Sequence, residues 1–186
     1  QAFVALVAMA VLWGVDAPKP APSDMHGGRP LFEIARQPRF IAAALCGPAQ
    51  AATPDVDAIA TTVDAKVQAW RRDIHQHPEL GNREVRTAAL VAEHLRAIGL
   101  EDVRTGIATT GVTAVLRGGK PGPRIALRAD MDALPVTETS GLPFASKVST
   151  QFNGQTAGVM HACGHDAHTG ILMGVAEALA SMKADL

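Results

Sequence analysis

From Val63 onward, apolar side chains return at regular intervals, and the intervals name the elements. Val63, Val67, Trp70 and Ile74 recur at helical spacing, and the His77-Pro78 step ends that helix because the residue before a proline is pushed out of the helical region. A second helix follows, with Val85, Ala88, Ala92 and Leu95 on one face and Gly99 just past its end. Residues 112–116 form a β-branched and apolar run that predicts a strand. Residues 117–123, rich in glycine and proline, predict a turn into the run Arg124-Ile-Ala-Leu-Arg128, which reads as a buried strand. Residues 167–182 carry Ile171, Leu172, Val175, Leu179 and Met182 on a helical stripe. Helices alternating with strands predict an α/β sheet with helices on its faces.

The first sixty residues differ in kind. Residues 1–15 are almost wholly apolar, yet too short for a stable membrane span. Residues 17–22 and the Gly27-Gly-Arg-Pro30 step break any continuing helix. Arg36 and Arg39 then precede the apolar stretch 40–45 and an Ala49-Gln-Ala51 step. A positive flank, a short apolar stretch and an Ala-x-Ala end are the parts of an export signal, so cleavage is expected before Ala52, with a periplasmic or secreted mature chain. The alternatives are a disordered or mistranslated extension and a cytoplasmic protein. Residues 1–62 are thus read as leader or extension and residues 63–186 as the folded part. Leu45 before Cys46 argues against a lipoprotein site.

Composition narrows the functional classes. A net charge of −1 with 19% charged residues gives no basic footprint for nucleic acid. Aromatic residues make up 4% and tyrosine is missing, which removes a stacking platform for single strands. The two cysteines, Cys46 and Cys163, lie too far apart in sequence to suggest a disulfide framework. There is no Gly-x-Ser-x-Gly elbow, no His-Glu-x-x-His, no Walker loop and no dinucleotide fingerprint. Residues 118–122 read as a turn rather than a phosphate cradle.

The chemistry concentrates at Met160-His-Ala-Cys-Gly-His-Asp-Ala-His-Thr-Gly170. Three of the seven histidines, one cysteine and one aspartate fall between positions 161 and 168. Thiolate and imidazole are the usual ligands of zinc and related metals, and Gly164 frees the backbone so that Cys163 and His165 can turn toward one ion. The alternative is a buried turn whose histidines satisfy hydrogen bonds. Upstream, Asp130 and Asp132 stand two apart, so an extended backbone puts both carboxylates on one side. An Asx-type turn leading to Pro135 is the competing reading there. A catalytic thiol at Cys163 is disfavoured by the carboxylates nearby. Asp166 is expected to cap the last helix, and His168, Asp166 or Asp132 to back the metal ligands. His75 and His77 read as structural, and His94, beside Glu93 and Arg96, as a solvated surface residue.

Four blocks then carry a resemblance. Trp70-Arg-Arg-Asp-Ile-His75-Gln-His77-Pro-Glu79-Leu, Thr110-Gly-Val, Leu127-Arg-Ala-Asp130-Met-Asp132-Ala-Leu-Pro135 and Met160-His-Ala-Cys163-Gly-His165-Asp-Ala-His168-Thr resemble metal-dependent amidohydrolases. The type is that of hippurate hydrolase and indole-acetyl-amino-acid hydrolase, a branch of the aminoacylase and carboxypeptidase G-like metallopeptidases. The resemblance implies a three-layer zinc-peptidase-like catalytic domain, of which this chain holds the N-terminal part. It implies Cys163 and His165 as metal ligands. Related branches carry His-x-Asp where this chain has Asp130-Met-Asp132, so Asp130 does not replace that histidine as a ligand. Asp132 then orients a ligand or balances charge. The general-base glutamate, further ligands and a smaller domain for dimerisation and substrate capture are expected beyond Leu186.

The expected activity is hydrolysis of the amide bond of N-acyl amino acids by one or two divalent ions. Manganese or zinc is expected, with cobalt and nickel also compatible with mixed S/N/O ligation. The expected partners are a small-molecule substrate and, for the parent, a second copy in a homodimer. The second hypothesis is a non-catalytic metal- or peptide-binding module that kept the loop and lost the base.

Overall fold

A computed structural model describes residues 55–186 of the chain. The expected leader, its cleavage point at Ala52 and Cys46 lie outside the described residues. Helix α1 spans Val56–Gln76. It begins seven residues before Val63 because Asp55 accepts a 3.0 Å hydrogen bond from the Ala58 amide and so caps its N-terminus. It ends, as expected, before His77-Pro78. None of the described helices is long and apolar enough to cross a membrane.

Helix α2, Val85–Ala97, has no capping side chain at its own N-cap position. Glu79 does that work from five residues upstream of Glu84: its carboxylate accepts from the amides of Arg86 (3.0 Å) and Thr87 (2.8 Å) and from the Thr87 hydroxyl (2.9 Å). At the other end Gly99 takes φ +77°, and the amides of Leu100 and Gly99 bond the carbonyls of Leu95 and Arg96, both at 3.0 Å. This is the Schellman closure, with Leu95 and Leu100 both buried as its apolar contact.

Strands β1 (Glu101–Ile107) and β2 (Gly111–Val115) form one antiparallel pair, and β3 (Ser149–Phe152) and β4 (Gln155–Gly158) form another. Strand β2 follows the sequence expectation, whereas β1 was not legible. Its residues are mostly exposed and its register is broken by irregularities, so it lacks the alternation that marks a half-buried strand. The β3–β4 hairpin turns on Asn153-Gly154, at φ +50° and +78°. Asn-Gly is the residue pair such a two-residue turn prefers, so this element had a sequence signal.

The run 124–128 departs from expectation. It joins no ladder among the described residues, and Ile125 is 46% exposed. A strand needs a neighbour to receive its amides and carbonyls, and among the described residues this run forms no ladder pairing. Order resumes just downstream, where Ala129, Met131 and Ala133 are buried in alternation with Asp130 and Asp132.

The last helix, α3, spans His165–Ser181 and is followed by a short 3₁₀ turn, Lys183–Asp185. It packs on α1 at close range. A Cβ added at Gly174 would stand 2.4 Å from Val67 Cγ2, so only glycine allows the approach. Leu172, Met173 and Ala176 enter the main core with Val91, Leu95 and Val112, while Ile171, assigned to the buried stripe from sequence, is 53% exposed. Val85 is likewise exposed at 71%.

His94 is not the solvated residue its neighbours suggested. Its ring lies 4.5 Å from that of Trp70, and Nε2 lies 3.1 Å from the Met173 carbonyl. Burial lowers its pKa from 6.5, against the pull of that carbonyl and of Glu177. The unfolded chain therefore binds a proton near pH 6.5 that the fold resists, so His94 stabilises the fold above pH 6.5 and loses that contribution as pH falls. Urea midpoints are expected to drop between pH 7.5 and 5.5, and to drop less in His94→Phe. An identical pH dependence in the two proteins would refute this.

Candidate metal centre

Two backbone pairings bring the site together. The Ala133 amide bonds the Glu79 carbonyl at 2.8 Å, and Leu134 and Met160 exchange hydrogen bonds of 2.9 and 3.0 Å. The segment bearing Asp130 and Asp132 is thereby held between the turn after α1 and the chain that runs into the Cys/His loop. Gly164, at φ +90°, is the N-cap of α3 and reverses the chain between Cys163 and His165, a conformation glycine adopts without strain.

His165 opens α3, and its Nδ1 lies 3.0 Å from both the Oδ1 and the backbone oxygen of Asp132. An acceptor on one ring nitrogen fixes the tautomer and leaves the other nitrogen as the ligating atom. That second nitrogen, Nε2, faces Asp130 Oδ2 at 4.0 Å. Asp130 in turn bonds Arg128 at 2.5 Å, and its backbone oxygen accepts from Thr169 on α3. Cys163 is an exposed free thiol. His168 is exposed, with its ring centroid 5.6 Å from that of His165. The structure thus brings Asp130, Asp132 and His168 to the His165 ring.

Asp166 is the exception. It caps nothing: α3 has no side-chain cap. Its buried carboxylate points back to α1 instead, where Oδ2 lies 2.8 Å from His75 Nδ1 and 3.3 Å from Arg71 Nε. The other nitrogen of His75, Nε2, lies 3.1 Å from Glu138 Oε1. Burial works to raise the Glu138 carboxyl, but hydrogen bonds from Ser140, the Ser146 amide and His75 together hold it below the ordinary value. Sequence reasoning missed this buried Asp166–His75–Glu138 chain, whose members lie up to 91 residues apart. Only the His75-x-His77-Pro block hinted at it.

His161 stands against this chain, its ring 6.4 Å from that of His75. It is 4% exposed, and both ring nitrogens lack a hydrogen-bond partner among the described residues. Burial pushes its pKa down to about 4, with Asp166 pulling the other way. Among the described residues no group of three or more His, Cys, Asp or Glu side chains is disposed to hold an ion. The donors present are still of the right kind: an exposed thiol, an imidazole with one nitrogen fixed by a carboxylate, and a neighbouring imidazole with both nitrogens unpartnered. Soft and borderline donors of this kind suit divalent first-row metals.

This site, set at the entry to a helix in a mixed helix-and-sheet fold, gathers donors of the kind that bind divalent metals. Residues 126–186 match the model of peptidase family M20/M25/M40. The chain is 52% identical over 114 residues to thermostable carboxypeptidase 2 of Saccharolobus solfataricus, covering 61% of this chain and 27% of that protein. It is 43% identical over 133 residues to the N-acyl-L-amino acid amidohydrolase of Geobacillus stearothermophilus, covering 71% of this chain and 33% of that protein. In structure it is similar to the Bacillus subtilis YXEP protein, a dinuclear metal binding peptidase of the M20 family, with TM-score 0.58 and 41% identity over 70% of this chain and 33% of that one. The chain therefore spans about a third or less of the length of these relatives.

Proposed function

We propose that this chain supplies the thiolate and imidazole side of a divalent-metal centre in an enzyme that hydrolyses the amide bond of N-acyl amino acids. One observation carries the reading: Asp132 holds His165 Nδ1 at 3.0 Å, which leaves Nε2 to ligate. Cys163 and His165 hold the ion, together with ligands from the remainder of the family's domain. The chemistry a divalent ion supplies there is polarisation of the scissile carbonyl and acidification of water. Manganese or zinc is the proposed metal, with cobalt and nickel also suited to S/N/O donors. Asp132 fixes the orientation of His165, Asp130 sets the charge facing Nε2, and Asp166 ties the first turn of α3 to α1. His168 stands beside the His165 ring as a further polar neighbour. The names of the relatives, a carboxypeptidase and an N-acyl amino acid amidohydrolase, support small N-acylated amino acids as substrates. Export after cleavage near Ala52 and a homodimeric parent complete the proposal.

The test uses the complete gene product, stripped of metal and reloaded with manganese or zinc, on N-acetyl and N-benzoyl amino acids. Metal-dependent release of the free amino acid is expected. Turnover indifferent to a chelator would refute metal catalysis. Tight metal binding with no turnover would identify the non-catalytic binding module instead.

A further inference from the structure

A cleft of about 600 Å³ opens beside Asp132, a size that suits a small molecule. One wall is apolar, built from Leu134, Pro135 and Phe152, with Leu134 and Phe152 each 37% exposed. The rim is polar, with Arg83 on one side and Asn153, at the β3–β4 turn, on the other. Arg83 is the sole cationic residue of this lining. Its Nη1 donates to the Gln151 carbonyl at 3.2 Å, which ties the guanidinium to the hairpin. Arg86, Arg104, Arg117 and Arg128 each pair with an aspartate or glutamate, but among the described residues no carboxylate pairs with Arg83. The turn that presents Arg83 runs beside the metal-site segment. A Cβ at Gly81 would stand 3.8 Å from Asp132 Cβ, and Asn82 sits at φ +64°.

We propose that this cleft binds the amino-acid half of the substrate, with Arg83 pairing the α-carboxylate and Leu134, Pro135 and Phe152 receiving an apolar side chain. The inference rests on the hydrolytic reading above and adds a direction to it. An N-acyl amino acid has one charged end and one neutral end, and the fork of an arginine recognises a carboxylate with two N–H donors. With the scissile amide at the Asp132 end of the cleft, the carboxylate falls on the only cation of the lining. The neutral acyl group then extends away from Arg83.

The experiment compares the complete gene product with its Arg83→Gln and Arg83→Lys variants on N-acetyl-L-leucine and on its uncharged counterpart N-acetyl-L-leucinamide. Arg83→Gln is expected to raise KM for the acid about tenfold or more, with kcat little changed and the amide unaffected, because a hydrogen bond to a charged group is worth about that factor. Arg83→Lys should fall between, keeping the charge without the fork. Equal effects on acid and amide, or none on either, would overturn the assignment. Binding of N-acetyl-L-leucine to the metal-free protein, followed by calorimetry, separates this inference from the hydrolytic one. Binding weakened about tenfold by Arg83→Gln in a protein that hydrolyses nothing supports the cleft and removes the activity. Undetectable binding, or binding indifferent to Arg83, removes the cleft.

Discussion

Replacing Cys163 or His165 by alanine in the complete gene product is expected to reduce bound metal to trace levels and to abolish hydrolysis with it. Catalytic zinc sites have about three protein ligands, so one loss removes a third of the protein's hold on the ion. Asp132→Ala should act more mildly, by about 10–100-fold in metal affinity or activity, because it releases the ring orientation of His165 but leaves the donor in place. Elemental analysis of the three purified variants makes the comparison. Full metal content in Cys163→Ala or His165→Ala would remove that residue from the site. A loss at Asp132 as severe as at His165 would make Asp132 a ligand rather than an orienting partner.

His75→Ala is expected to destabilise the fold by about 3 kcal/mol or more, because it leaves two buried carboxylates short of a hydrogen-bond partner. The ring is 5% exposed, and each of its nitrogens lies within hydrogen-bond distance of a carboxylate. Without it, Asp166 keeps only Arg71, a residue about half exposed on its side chain, and Glu138 keeps Ser140 and Ser146. Phe144, edge-on to the ring at 5.5 Å, would also border a cavity. Denaturant unfolding of wild type and variant measures the difference. A change below about 1 kcal/mol would mean that water or Arg71 replaces the histidine at little cost.

Local signals predicted local structure well. Pro78 and Gly99 marked helix ends because each acts through the backbone of its own neighbours. The spacing of Asp130 and Asp132 sufficed to place both on one side, since alternation is a property of the extended chain itself. The joint placement of Asp132 and His165 was legible through the resemblance rather than through any pattern spanning the 33 residues between them. The misreadings concern partners remote in sequence. His94 is half-buried because Trp70 and Met173 come to it, and Asp166 turns to His75 rather than to its own helix. The run 124–128 shows the converse: its apolar residues announce a strand, but ladder formation depends on a neighbour that sequence periodicity does not specify.

The β3–β4 hairpin is closed at its base by a 2.9 Å hydrogen bond from the Val159 amide to the Val148 carbonyl. The chain therefore leaves the hairpin almost where it entered, and whatever lies between those two residues leaves the approach to His161 and Cys163 in the same place. The tip nevertheless forms a wall of the cleft through Phe152 and Asn153. Surface loops tolerate changes of length at small thermodynamic cost. Selection can thus lengthen, trim or exchange this segment to accept a different side chain while the reacting groups keep their positions. On the proposed reading, substrate preference and chemistry are carried by separable pieces of the same short stretch of chain.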